Sequence, residues 1–449
     1  MISLLKSQKK GFKTEAVHTL KLGLPVIAAQ LLQMSMNFVD TVMAGNLSAE
    51  ALAAVAVGGA VFIPFIMLAA GIMMAITPIV AQLYGSRNIR EIGINARQGL
   101  WLSQLLAIPV FFAIRNLGIV MELLDVTQEI IPVAIGYLQA ISWGIFPLCA
   151  YMALRFFNEG MSVTRPSMYF ALIGVLVNIP ANYILMYGKL GFPQLGAVGC
   201  GYASSLVGLV MFLGMLIFTM KHKPYQRFEI FSSFKMPEWS YLKEILRVGV
   251  PIGLSSTMEV TMFALVSLLM GSLSAVAVAG HQVAINFSAM TFMVPFGLST
   301  AITTRVGNAI GKKSISEARR RGFVGITLST FFMSLTAIIM FTIPDLITSI
   351  YTQNDAVQQV AISLLYMAAI FQISDGLQVS SYGALRGLKD TTVPMYVNLF
   401  AYWVVGLPLG YFLGITYNFG PQGLWMGLIA GLTVAAIFHN MRFFMMTEE

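Results

Sequence analysis

Twelve long apolar runs separated by short polar breaks dominate this 449-residue chain, and no other feature restricts its fold as strongly. They fall near 17–45, 52–82, 93–117, 129–152, 167–188 and 196–219, then near 242–271, 275–305, 320–343, 356–383, 393–415 and 421–441. A helix of about 20 mostly apolar residues crosses the hydrocarbon core of a bilayer, whereas a strand needs only about 9–11. These runs have the helical length and lack period-two alternation, which predicts membrane-spanning helices rather than a barrel. Only 10% of the residues are charged, against roughly 25% in soluble domains, so the chain cannot clothe a water-facing surface of its own. The first run follows Lys6, Lys9, Lys10 and Lys13 but is too long for a signal peptide and carries no small-residue cleavage site. Cys149 and Cys200 lie in apolar runs without disulfide or metal-ligand spacing and read as packing residues.

Basic residues set the orientation. With both termini on one side of the membrane, 25 of the 27 Lys and Arg fall on that side, and only Arg115 and Lys189 fall on the other. Both termini are therefore expected in the cytoplasm. The net charge of +8 follows from this bias, with anionic lipid as the partner and no need for nucleic acid.

The chain also repeats itself. Gly23-Leu24-Pro25 returns as Gly249-Val250-Pro251, and MAGNLSAEALA (43–53) lies over LMGSLSAVAVA (269–279) at the same offset. Glu159-Gly160 over Arg386-Gly387 and Gly196/Gly199 over Gly420/Gly423 extend the match with small drifts. Six helices per half is an even number, so the halves insert in parallel, related by an axis along the membrane normal. The expected organisation is a cytoplasmic tail (1–15), an N-lobe (16–220), a cytoplasmic linker (221–241) and a C-lobe (242–449).

Of 19 carboxylates, three sit inside predicted spans: Asp40 in the first, Glu259 in the seventh and Asp375 in the tenth. An acid at the bilayer centre costs about 2.5–3.5 kcal/mol on insertion scales and marks an ion or substrate path. None of the three has an acid at its repeat-equivalent position: Asp40 lies over Val266, Glu259 over Gln33, and Asp375 near Pro147 or Leu148. The scaffold is duplicated and the acids are not, which favours a working role over a folding one. Carboxylates so placed can exchange a proton or bind a cation as their surroundings open and close. Phe263 is spaced i, i+4 from Glu259, so the two share a helix face and can hold a small cation by charge and ring together. Asn178 and Asn182, also i, i+4, flank Pro180, whose missing N–H frees a carbonyl. Two amides and a loosened turn can satisfy an acid such as Asp40 or line a wet cavity. Gln30 and Gln33 share Asp40's helix and are candidate substrate contacts. His281 and His439 have no partner at ligand spacing, and no HExxH or Ser/His arrangement points to an enzyme.

The strings LPVIAAQLLQMSMNFVDTVMAGNLS (24–48), TPIVAQLYGS (77–86), VNIPANYILMYG (177–188), GAVGCG (196–201), AGHQVAINF (279–287) and SSYGALRGLKDTTVPM (380–395) occur in this order across both halves. In them the chain resembles the multidrug and toxic compound extrusion (MATE) family, and within it the NorM-like branch. The resemblance implies an all-α membrane protein of twelve transmembrane helices in two parallel-repeat six-helix lobes forming a V. It implies a monomer in the bacterial inner membrane that exports hydrophobic, often cationic drugs in exchange for Na⁺ or H⁺, with no cofactor. That branch's functional acids fall on Asp40, Glu259 and Asp375, with Na⁺ expected at Glu259 and Asp375. Its seventh-helix aromatic falls on Phe263, and its eighth-helix aromatic, often Tyr, on Phe292. The polar fifth-helix pair corresponds to Asn178 and Asn182. A loop acid before the tenth helix corresponds to Asp355, a further candidate substrate contact.

Two alternatives use related scaffolds. A flippase for a lipid-linked sugar precursor calls for cations within its cavity, and the basic residues here fall in loops or near helix ends. A major-facilitator porter carries an acid–Arg signature after the second helix, which GSRNIREIG (85–93) lacks.

Overall fold

Serine side chains begin several of the helices. Ser48, in extended backbone, accepts a hydrogen bond from the Ala51 amide at 3.0 Å, and Ser274 does the same for Ala277 at 3.0 Å. Such caps satisfy one of the four amides that a helix start leaves open. The two caps stand 226 positions apart, the offset read in the sequence repeat. The backbone repeats elsewhere too. Left-handed turns at Arg87 and Ser162 in the first half recur at Lys313 and Lys389 in the second. Short helices Gly118–Leu123 and Pro344–Tyr351 follow the third span of each half.

The computed structural model describes residues 2–123, 127–231 and 235–448, and of residues 2–10 the backbone alone. Among the described residues eleven helices are long and apolar enough to cross a membrane, and a twelfth span is a bent pair. In chain order they are α1 (Ile2–Leu47), α2 (Ala49–Gly85), α3 (Ile89–Arg115), α4 (Ile131–Ser142 with Ile145–Gly160), α5 (Arg165–Tyr187) and α6 (Ala197–Lys221). The second half holds α7 (Trp239–Leu273), α8 (Ala275–Gly311), α9 (Ile315–Thr342), α10 (Asp355–Gly387), α11 (Thr392–Thr416) and α12 (Gly420–Met446). This is an all-α membrane fold of twelve spans in two parallel six-helix repeats, as the sequence predicts.

Two departures from strict repetition separate the halves. The two segments of α4 meet at 48°, whereas its counterpart α10 runs unbroken for 33 residues. α5 is α-helical throughout, whereas α11 contains π-helical stretches at Phe400–Gly406 and Phe412–Thr416. π-bulges are rare and gather at functional sites.

Contacts divide the chain into two compact units, Met1–Ile27 with Leu254–Glu449, and Ala28–Gly253. We call the latter the N unit and the former the C unit. In the N unit a core of Ala54, Met121, Leu138, Cys149 and Cys200 joins α2, α4 and α6. Gly71 of α2 approaches Gly253 so closely that a Cβ on it would lie 2.3 Å from the Gly253 Cα. Segment 221–241 belongs to this unit. A 3-10 turn (Lys223–Phe228) packs there, with Tyr225 donating to Asn158 at 2.8 Å. Arg97 and Trp101 of α3 donate to the carbonyls of Glu229 and Lys235 at 2.8 and 2.9 Å. In the C unit, Met262, Leu365, Tyr402, Trp425 and Leu428 form the core. Glu15 is buried there among Arg305, Arg320 and Arg321, which tie the start of α1 to α8 and α9.

The structure corrects the fourth span, expected to end at 152. The helix continues to Gly160 and carries Arg155 and Glu159 inside, at 5% and 0% exposure. Arg155 Nε donates to Glu159 Oε1 at 2.8 Å and Ser167 Oγ to the same oxygen at 3.1 Å. One turn of helix lets the two charges neutralise each other, so a charged stretch that reads as loop lies inside.

Candidate functional site

Asp40 projects from α1 into the N unit, where two helices, α5 and α6, supply three polar groups. Asn178 Nδ2 donates to Asp40 Oδ1 at 2.9 Å and Asn182 Nδ2 to the same oxygen at 2.6 Å. Ser204 Oγ of α6 donates to Oδ2 at 3.4 Å. Asn178 and Asn182 are fully buried, at 1% and 0% exposure, and Asp40 is half-buried. Their i, i+4 spacing on either side of Pro180 aims both amides at one carboxylate oxygen, the arrangement read from the sequence. Ser204 was not foreseen, since a lone serine in an apolar helix carries no spacing signal. Seven residues before Asp40, Gln33 accepts from Arg155 Nη1 at 3.3 Å, so its amide is held by the Arg155–Glu159 pair. Gln30 is half-buried on the same helix.

The C unit is arranged differently. Glu259 of α7 and Asp375 of α10 lie within electrostatic reach of each other. Among the described residues neither accepts a hydrogen bond nor pairs with a Lys or Arg. Asp375 is 4% exposed and Glu259 half-buried. Tyr382 of α10 lies near Glu259, and Tyr402 of α11 lies near both acids. Phe263 packs edge-on against Phe371 at 6.0 Å between centroids, and Phe371 against Trp425 at 5.5 Å. Trp425 Nε1 donates to His281 Nδ1 at 3.2 Å. An indole can only donate, so His281 carries its proton on Nε2 and donates that one to Ser267 at 3.0 Å. His281 is thus a neutral core residue that fixes the aromatic wall beside Glu259.

The remaining sequence candidates are Phe292 and Asp355. Phe292 of α8 stacks at a tilt on Phe296, 5.8 Å between centroids. Asp355 is exposed at the first turn of α10, where Asn354 caps the helix and an acid favours the helix dipole. No group of three or more His, Cys, Asp or Glu among the described residues can hold a metal ion.

Twelve spans in two parallel repeats, with a clamped carboxylate in one unit and an unpaired carboxylate couple in the other, define a polytopic membrane protein with acids at membrane depth. The chain belongs to the MatE family, whose model matches residues 25–184 and again 251–412, so the family's own unit recurs at the 226-residue offset. It is 41% identical over 433 residues to the multidrug resistance protein MdtK of Yersinia enterocolitica, covering 95% of each chain. It is 42% identical over 431 residues to the MdtK of Photorhabdus laumondii, covering 94% of each. Among solved structures it resembles the eukaryotic MATE transporter AtDTX14, with a TM-score of 0.89 at 19% identity over 96% of each chain. It also resembles an outward-facing multidrug resistance MATE family transporter, with a TM-score of 0.88 at 21% identity over 96% of each chain.

Proposed function

We propose that this protein is a multidrug efflux antiporter of the bacterial inner membrane, with both termini cytoplasmic. It exports hydrophobic, often cationic compounds in exchange for Na⁺ or H⁺ by alternating access. The observation that carries this reading is the Glu259–Asp375 pair, two carboxylates in spanning helices with no cation or donor of their own among the described residues. Such a pair lowers its energy by taking up a positive charge, and an organic cation and a small inorganic cation compete for it. Exclusive occupancy is what links uphill export to downhill entry. The named activity of the MdtK relatives points to the same class of cargo. Aromatic side chains at Phe263 and Phe371 give the pair a polarisable wall suited to flat cations. Asp40, with Asn178 and Asn182, is the second charge in the path, and Gln30 and Gln33 lie on its helix.

The test is dye efflux from proteoliposomes under Na⁺ and pH gradients imposed one at a time. Stimulation by one gradient identifies the coupling ion. Wild-type export by properly inserted Asp40→Asn and Glu259→Gln proteins would sink the mechanism.

A further inference from the structure

We propose that Ser255, Tyr382 and Tyr402 supply the neutral oxygens that, with Glu259 and Asp375, coordinate the inorganic cation as it crosses the C unit. This rests on the cation-exchange reading above and names residues that reading does not use.

All three hydroxyls are buried, at 1%, 6% and 0% residue exposure for Ser255, Tyr382 and Tyr402, and among the described residues none closes a hydrogen bond. Tyr382 faces Ser255 without completing one. An unmet buried hydroxyl is costly and rare, so three around one acid pair call for a missing partner. Helical spacing converges them. Ser255 and Glu259 are i, i+4 on α7, and Asp375 and Tyr382 are i, i+7 on α10, so each hydroxyl shares a face with its acid. Tyr402 comes from the π-helical stretch of α11 and lies within reach of Glu259, Asp375 and Tyr382.

The rings are held by other contacts. Tyr382 stacks on His439 at 5.4 Å between centroids, with the Arg386 guanidinium 5.2 Å from the same ring. Tyr402 is embedded in the Trp425–Leu428 core. Their hydroxyls are thus presented rather than mobile. A proton needs only the carboxylates and leaves these lone pairs idle. A dehydrated hard cation needs several oxygens in place of its water shell, and hydroxyl oxygens can provide them.

The experiment is calorimetric titration of NaCl into the purified full-length protein, with choline chloride holding ionic strength and LiCl and KCl titrated in parallel. Tyr402→Phe, Tyr382→Phe and Ser255→Ala remove one oxygen each and keep the surrounding packing. Each is expected to weaken Na⁺ binding by about 10-fold and to alter the Na⁺/Li⁺ ratio, which a purely structural role would leave alone. Thermal unfolding identifies any variant that misfolds, and the other two still decide the question. Wild-type Na⁺ affinity and selectivity in the folded variants, with binding lost in Glu259→Gln, would overturn this ligand assignment and leave the exchange reading standing. A wild-type protein that binds no Na⁺ yet exports dye on a pH gradient would also overturn it. Failure of export under either gradient would instead remove the exchange reading itself.

Discussion

The fifth and eleventh helices carry the same motif with different chemistry. VNIPANY (177–183) in α5 lies over VGLPLGY (405–411) in α11, with Pro180 over Pro408 and Tyr183 over Tyr411. Asn178 and Asn182 in the first copy become Gly406 and Gly410 in the second. The amides hold Asp40, and the residue over Asp40 in the second half is Val266. Acid and amides have been exchanged as a set. In their place the glycines let α12 come close: a Cβ on Gly427 would lie 2.4 Å from the Gly406 carbonyl oxygen and 2.4 Å from the Gly410 Cα. The first half uses this position for a hydrogen-bonded charge, and the second uses it for backbone contact. The second half then places its acids elsewhere, on Glu259 and Asp375, with no amide clamp. One carboxylate is held by amides of its own unit, and among the described residues the other two accept no hydrogen bond.

The comparison breaks most sharply at Glu259. Glu259→Gln is expected to reduce gradient-driven dye efflux to the level of empty liposomes, because nothing else in the C unit replaces its charge beside Asp375. Thermal unfolding in detergent is expected at or above the wild-type midpoint, since the variant removes an uncompensated, half-buried charge and breaks no hydrogen bond. A lower midpoint would mean that Glu259 has a structural partner and that the two units are more alike than described.

Gly427→Ala tests the other half of the exchange. The added methyl would strike backbone atoms that cannot turn away. Overpacking of this kind costs about 1–3 kcal/mol or more, so a lower unfolding midpoint is expected. Asn182→Gly, which makes the first half resemble the second, is expected to cost less, because Asn178 and Ser204 still reach Asp40. If the two variants unfold alike, packing and hydrogen bonding do not divide between the halves.

Much of this division is legible in the sequence, and the illegible part has physical reasons. The twelve spans stand out because lipid admits few charges. Asn178 and Asn182 announce themselves as a pair because two amides one turn apart around a proline are an unusual thing to place in lipid. The end of α4 misleads because Arg155 and Glu159 cancel each other across one turn, and separately each looks like a loop residue. Asp355 reads as a site acid, and its place exposed in the first turn of α10 is not marked by any spacing. Ser255, Tyr382 and Tyr402 escape notice because hydroxyls are common in membrane helices, where Ser and Thr usually bond to their own backbone. Thr19, Thr261 and Thr327 do so here. Unmet hydrogen bonds beside the Glu259–Asp375 pair distinguish those three, and the π turn that carries Tyr402 has no sequence mark.

Asp40→Asn keeps the shape of the clamp and removes its charge. Hydrogen bonds to a charged group contribute about 1.5–3 kcal/mol, whereas ordinary interhelical bonds in a membrane protein average about 0.6 kcal/mol. The unfolding midpoint should therefore fall, in contrast to Glu259→Gln, where it should not. This opposite sign is the direct measure of a clamped acid against an unclamped pair.

Ser204→Ala is the smallest and most discriminating change. Its hydroxyl is 3.4 Å from Asp40 Oδ2, the longest of the three contacts and the only one to that oxygen. By length it should contribute no more than the interhelical average of about 0.6 kcal/mol, leaving the unfolding midpoint within error of wild type. Any effect on transport should then appear in the ion dependence of efflux, because Oδ2 is the oxygen the amides leave open to a passing cation. A large stability loss would show that both Asp40 oxygens are committed to the fold. In that case Asp40 is a structural residue, and transport chemistry belongs to the C unit alone.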